Sequence, residues 1–229
     1  MEFEARNIEG FRAVSQPLEI PVKNYSINLL DGTQVFAKRV LDFTLSLTFL
    51  TLVGSWLFLI IALLIKLESK GPVFFKQRRG GQFNDPFVCY KFRTMTFNPN
   101  ATFKQAEKND SRVTRIGAFL RKSSLDELPQ LFNVLLGNMS IVGPRPHALE
   151  MDADCMTKYE NYKLRLLVKP GITGLAQAKG FRGEIKKAYQ MRARIKLDLF
   201  YIKTWNFWFD IRIIYLTVLG IVFKNENAY

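Results

Sequence analysis

The chain has 229 residues, enough for one globular domain with accessory segments and a core of its own. Apolar residues make up 48% and aromatics 14%, which argues against disorder, and 33 Lys+Arg against 20 Asp+Glu leave a formal charge of +13. That charge calls for a polyanionic partner (nucleic acid, anionic lipid headgroups or phosphorylated substrates), while Cys89 and Cys155 have neither metal-ligand spacing nor a disulfide framework and suit a reducing compartment.

Residues 1–37 mix polar, apolar and proline residues without periodicity and read as a leader. They begin with Glu2 and Glu4 and lack the apolar run of a secretory signal. At Lys38-Arg39 the composition shifts. VLDFTLSLTFLTLVGSWLFLIIALLI, from Val40 to Ile65, has Asp42 as its single charge and exceeds the ~20 apolar residues that a membrane helix needs. It is apolar on every face, so 38–70 reads as a membrane-inserted helix rather than a buried core helix. Lys38 and Arg39 flank one end, and Lys66, Lys70, Lys76, Arg78 and Arg79 the other. Basic flanks on both sides fit a re-entrant segment returning to one face, with Gly54-Ser55 as a place to bend; a straight span competes.

Residues 71–229 then read as a cytosolic domain. GPVFFKQRRGGQFNDPFVCYKFRTM (71–95) predicts a β-hairpin turning between Gly80-Gly81 and Asp85-Pro86. After a polar loop over 96–110, Arg115 to Arg121 predicts a short helix. Leu128, Leu131, Phe132 and Leu135 recur at helical spacing until Gly137. IVGPRP (141–146) must be extended, because its prolines restrict the residues before them, and KPGITG (169–174) reads as a loop. Ala188 to Tyr201 predicts an amphipathic helix, followed by the cluster Trp205, Phe207, Trp208, Phe209. The apolar run Ile211–Phe223 is too short to span comfortably. Aromatics beside basic helices predict interfacial anchors; ordinary core packing is the alternative. The expected fold class is α+β and mostly helical: a membrane-inserted, re-entrant N-terminal helix, a small β-hairpin, and interfacial C-terminal helices around a site.

That site centres on SSLDELPQLFN (123–133), which sets Asp126 beside Glu127 in a strongly basic chain. Ser124 and Glu127 match the S-x-x-E capping box, in which both would only satisfy backbone donors. A helix started at Ser124, however, places Pro129 where its missing N–H costs a bond. Capping and chemistry both stay open on these residues. Adjacent carboxylates at a helix N-terminus stay ionised, and beside phosphates they invite Mg²⁺. Among the arginines, Arg145 stands out because Pro144 and Pro146 make it a stiff platform for an anion-binding fork. His147 is the sole histidine, so a His-based triad or metal site is excluded, and neither a Walker loop nor a dinucleotide fingerprint is present.

In combination KRVLDFTLSL, LLIKLESKGPVFFKQRRGG, YKFRTM, RVTRIGAFLRKSSLDELPQLFNVLLGNMSIVGPRPH and KPGITGLAQAKGFRGE resemble the bacterial sugar transferases, the monotopic polyprenyl-phosphate phosphoglycosyl transferases. GFRGE and DLFYIKTWNFWFDIRIIYLT look like the hexose-1-phosphate subgroup. The resemblance implies transfer of a sugar phosphate from a UDP-sugar to undecaprenyl phosphate with release of UMP, at the cytosolic face of the bacterial inner membrane. It implies that Asp126 is the nucleophile, that Glu127 holds Mg²⁺ with Asp126 beside it, and that Arg121 and Arg145 steady the phosphates. Pro144-Arg145-Pro146 would recognise the nucleotide, with Lys91, Arg93 and Arg182 as further substrate contacts. Membrane lipids are implied as partners, nucleic acid is not, and a homo-oligomer is left open. Longer relatives are expected to carry extra N-terminal membrane helices, this chain resembling the catalytic module alone. Relatives often have Ser-Pro in mid-helix where this chain has Ser55-Trp56, so a gentler bend from Gly54 and a Ser55 back-bond is expected. The competing class is a membrane-tethered basic protein binding anionic lipid or nucleic acid, in which Asp126 and Glu127 would be mere caps.

Overall fold

Asp31 starts the first helix by accepting hydrogen bonds from the backbone of Thr33 (3.0 Å) and Gln34 (3.2 Å). The structure, a computed structural model, describes residues 29, 31–98, 110–181, 183, 185 and 187–223. In chain order these form α1 (Gly32–Phe49), a π-helical turn (Leu50–Gly54), α2 (Ser55–Glu68), β1 (Phe74–Gly80), β2 (Pro86–Phe92), α3 (Arg115–Ser123), α4 (Gln130–Leu136), β3 (Ser140–Val142), α5 (Leu149–Lys158), β4 (Gly171–Thr173), α6 (Leu175–Ala178), α7 (Ala188–Thr204) and α8 (Phe207–Val222). The helix expected from Lys38 thus already begins at Gly32, and most of the leader lies outside the described residues.

Helix α1 is built inside out. Lys38, Asp42 and Ser46, four residues apart and so on one face, are buried, while Phe36, Val40, Phe43, Leu45 and Leu47 are exposed. Lys38 Nζ pairs with Asp210 of α8 at 2.5 Å, Asp42 accepts from the Ile141 N–H of β3 at 2.9 Å, and Arg39 donates to the Val134 and Leu135 carbonyls of α4. From the π turn onward, Leu52, Trp56, Leu59, Ile60, Leu63 and Leu67 are exposed, and Ile61 and Ile65 pack on Phe92 and Leu120. From Gly32 to Glu68 the helix is long and apolar enough, by length and composition, to cross a membrane.

The backbone does not break at Gly54-Ser55: both residues keep right-handed helical dihedrals. Ser55 Oγ donates to the Thr51 carbonyl at 2.8 Å, the expected back-bond. Nevertheless both arms reach α4, Arg39 at its C-terminal carbonyls and Phe58 with its ring 5.7 Å from that of Phe132. The π turn at Leu50–Gly54 is where the hydrogen-bond ladder of the helix changes.

The hairpin forms as expected, β1 antiparallel to β2 from Phe74↔Phe92 to Gly80↔Pro86. Asn133 of α4 docks on it like a further strand, donating to the Val88 carbonyl at 2.7 Å and accepting from the Tyr90 N–H at 3.0 Å. KPGITG, expected to be a loop, instead supplies β4, which pairs in parallel with β3 at Ser140↔Gly171 and Val142↔Thr173. The pairing is non-local and so leaves no periodicity in either stretch. The largest core cluster gathers Val142, Leu164, Leu167, Tyr201, Ile202, Trp205 and Ile213 around α7 and α8. Trp205, expected at an interface, is therefore a core residue, 1% exposed. Trp208, Ile211, Tyr215 and Val218 form an exposed stripe along α8, so this helix has both a core face and an apolar outer face.

Candidate active site

The site is assembled where the hairpin, α3 and the segment after β3 meet. Helix α3 is capped at its start by Thr114, whose Oγ1 accepts from the Gly117 N–H at 2.9 Å. Glu68, the last residue of α2, also accepts there, from the Arg115 N–H at 2.7 Å and the Ile116 N–H at 3.1 Å. Gly117 lets α3 press onto the hairpin exit, for a Cβ there would lie 2.0 Å from the Thr94 carbonyl oxygen. At its other end Ser124 turns left-handed (φ 63°), and Leu125–Glu127 form a single 3-10 turn. Pro129 then stands at the N-cap of α4, where the helix asks nothing of a proline nitrogen. The capping box does not form. Ser124 Oγ is buried without a hydrogen-bond partner, and the Glu127 carboxylate is taken by side chains.

The two acids sit in opposite states. Glu127 is buried and clamped: Arg145 Nη2 lies 2.5 Å from Oε1 and Nη1 3.2 Å from Oε2, with Lys91 Nζ 2.7 Å from Oε1. Half-buried Asp126 has no hydrogen bond or ion pair among the described residues. Its burial and the charge of Glu127 push its pKa up to about 6, and Lys91, Arg145 and Arg121 only partly oppose this. Burial acts against the charge of Arg145, but Glu127 and Asp126 outweigh it and hold the guanidinium proton more firmly than usual. Asp126 is thus a basic carboxylate, largely ionised at neutral pH, whose oxygens accept no hydrogen bond from the described residues.

Arg145 comes from a strap without regular secondary structure, pinned through its carbonyls. The Gly171 N–H donates to Pro144 at 2.9 Å, Arg165 Nη2 to Arg145 at 2.9 Å, and Arg79 Nη1 to Pro146. Arg165 Nε in turn donates to Asp198 of α7 at 2.7 Å, with both side chains buried. Next to the strap His147 Nδ1 meets Tyr162 Oη at 2.6 Å, and Tyr162 donates to Asp152. Burial and the surrounding arginines hold the imidazole pKa well below its ordinary value, so it stays neutral. A shallow pocket on this side of the strap is lined by Gly80, Gly81, Pro144, Pro146, His147 and Asp152.

The expected residues therefore separate. Lys91 and Arg145 converge on Glu127, and Arg121 approaches from α3 with Nε bonded to Thr94 Oγ1 at 2.8 Å. Arg93 goes elsewhere: its guanidinium binds the Ser69 carbonyl at 2.7 Å and the Lys70 carbonyl at 2.5 Å, closing the end of α2. Arg182 lies outside the described residues. Arg79 was read only as a basic flank of the apolar helix, and Asp152, Tyr162, Arg165 and Asp198 were not singled out from the sequence, where KLRLLVK gives Arg165 no mark that separates it from a solvated basic run. Among the described residues no group of three or more His, Cys, Asp or Glu gathers for a metal ion.

The acid pair, with Glu127 clamped by Lys91 and Arg145, thus sits beside a helix with an apolar exterior that is long enough to cross a membrane. The chain belongs to the bacterial sugar transferase family, whose model matches residues 33–224. It is 47% identical to the UDP-glucose:undecaprenyl-phosphate glucose-1-phosphate transferase of Klebsiella pneumoniae, over 92% of this chain and 45% of that protein. It is 46% identical to the protein of the same name from Caulobacter vibrioides, over 84% of this chain and 72% of the relative. The undecaprenyl-phosphate galactose phosphotransferase of Salmonella typhimurium is 36% identical, over 92% of this chain and 45% of its own length. The chain thus spans less than half of the Klebsiella and Salmonella relatives.

Proposed function

We propose that the chain transfers a hexose 1-phosphate, glucose or galactose, from its UDP-sugar to undecaprenyl phosphate. The products are UMP and undecaprenyl-diphosphate-sugar, and the reaction begins an exopolysaccharide, capsule or O-antigen at the cytosolic face of the inner membrane. The observation that carries this reading is the asymmetry of the acids, Glu127 clamped by Lys91 and Arg145 and Asp126 without a donor among the described residues. An Asp126 oxygen attacks the phosphorus that bears the sugar, the bond from that phosphorus to the bridging oxygen breaks, and UMP leaves with the electron pair. A phosphate oxygen of the lipid carrier then attacks the same phosphorus and returns the carboxylate. Lys91 and Arg145, already beside the acids, are placed to take the diphosphate charge.

Asp126 and Glu127 would hold Mg²⁺, a fit supported by two adjacent carboxylates of which one has no donor among the described residues. When bound it would neutralise the substrate's phosphates and let an anion approach them. Contacts of Arg39 and Phe58, on either side of the π turn, with α4 support re-entrant insertion; reactivity of cysteines placed at residues 34 and 85 from opposite sides of a sealed membrane would refute it. For the chemistry, UDP-sugar and Mg²⁺ without lipid carrier should give a stoichiometric burst of UMP and an intact-mass adduct of one hexose phosphate on Asp126. Strictly ternary kinetics with neither burst nor adduct would leave direct attack by the lipid phosphate.

A further inference from the structure

The strap that carries Arg145 has two prolines and hence two missing N–H groups, so it can be held chiefly by its carbonyls. Three donors from three distant elements take these carbonyls: the Gly171 N–H, Arg165 and Arg79. Arg165 differs from the other two. Its Nη2 reaches the carbonyl of Arg145 itself at 2.9 Å, its Nε is fixed by Asp198 at 2.7 Å, and its Nη1 lies 3.4 Å from His147 Nδ1. Its guanidinium also lies over the Tyr162 ring, 4.8 Å from the centroid. Arg165 and Asp198 are 3% exposed each, far below what a solvated ion pair shows.

A buried ion pair is a poor way to gain stability, since its desolvation commonly offsets its attraction and apolar residues of similar size do as well. Yet only a planar guanidinium can bind a carboxylate with one edge and a carbonyl with another in a fixed geometry. We propose that Arg165, held by Asp198, is a positioning residue that sets the Arg145 guanidinium against Glu127 and the substrate's diphosphate. The relay runs from α7 through Asp198, Arg165 and the Arg145 backbone to the Arg145 side chain. Displacing a charge clamp by about 1 Å is enough to cost on the order of 100-fold in rate. The inference rests on the proposed role of Arg145 in the reaction.

Removing Arg165 alone would strand Asp198, so the decisive variant replaces the pair together: Arg165→Met with Asp198→Leu. It should keep its melting temperature within a few degrees of the parent and lower kcat/KM by about 10- to 100-fold. Arg165→Lys, which keeps the charge but not the fork, should fall by a similar factor. The pair replacement is then repeated in an Arg145→Lys background, which retains a cation and measurable turnover. There its effect should shrink to less than about threefold, because the geometry it served is already lost. An undiminished effect in that background, or a fully active pair replacement, overturns the inference. If Arg145→Lys alone is as active as wild type, it is the assigned role of Arg145 that fails. Loss of activity in step with loss of folded protein would mark Arg165 as merely structural and equally overturn the proposal.

Discussion

Two regions of the molecule bury charges, and they do so with opposite bookkeeping. Against the apolar helix every buried charge is met by a fixed partner: Lys38 by Asp210, Arg39 by two carbonyls, Asp42 by the Ile141 N–H. At the acid pair the donors are unevenly shared: Lys91 and Arg145 bond to Glu127, and among the described residues none bonds to Asp126. The first arrangement fixes a helix to a domain in one register; the second leaves a carboxylate with a raised pKa, as the proposed nucleophile requires. Charge satisfaction, more than charge density, separates structural from chemical clusters.

The sharpest way to break this contrast is Asp126→Asn. It should lower turnover by at least about 1,000-fold and abolish the UMP burst, because no covalent intermediate can form. The same change should raise stability. A folded pKa of about 6 against the usual 3.8 means that stability falls as pH rises from about 4 to 6, and above that range the charge is a standing cost. Discounted for partial exposure, removing it should gain about 1–2 kcal/mol, read as a higher melting temperature at pH 7.5 that shrinks toward pH 4. A variant both inactive and destabilised would contradict the strained-carboxylate picture.

On the anchoring side, Lys38→Met should destabilise the chain by about 3–5 kcal/mol, because Asp210 is left buried and unpaired. Adding Asp210→Leu should restore most of this, measured by thermal unfolding in detergent, with the UMP burst retained. A burst lost with the fold intact would give Lys38 a part in the chemistry. A smaller effect is expected from pH: the burst rate should drop about fivefold between pH 6 and pH 5 as Asp126 takes up its proton, with a slope approaching one below pH 5. A flat profile across that range would remove Asp126 as the titrating nucleophile. Smallest of all, Ser124→Gly should stabilise by up to about 1 kcal/mol, since it relieves the left-handed backbone and deletes a partnerless hydroxyl. Loss of activity with that gain would show that the Ser124 hydroxyl serves the reaction.

Local signals made much of this legible in advance. The apolar run, the hairpin with its Gly-Gly and Asp-Pro turn, α3, α4 stopped by left-handed Gly137, and the pair Asp126-Glu127 all rest on periodicity or turn chemistry within a few residues. Arg145 was visible because two prolines bracket it. Less was legible where a residue's partner lies far along the chain. Arg93 and Lys91 stand two residues apart on one strand end and look alike in the sequence, yet one closes α2 and the other clamps Glu127. Trp205 and Trp208 look equally interfacial, and one is buried while the other is exposed.

The sequence by itself determined that an apolar helix, a hairpin and an acid pair exist in this order, because hydrophobic period, chain reversal and adjacent charge are local properties. Only the tertiary structure decided that the helix carries a π turn and touches α4 on either side of it, that β3 and β4 pair, and that Arg165 holds the strap from Asp198. It also decided which of two neighbouring acids accepts no hydrogen bond from the described residues. Such choices depend on which distant donors arrive at a given carbonyl or carboxylate, and at that range chain distance carries no information about spatial distance.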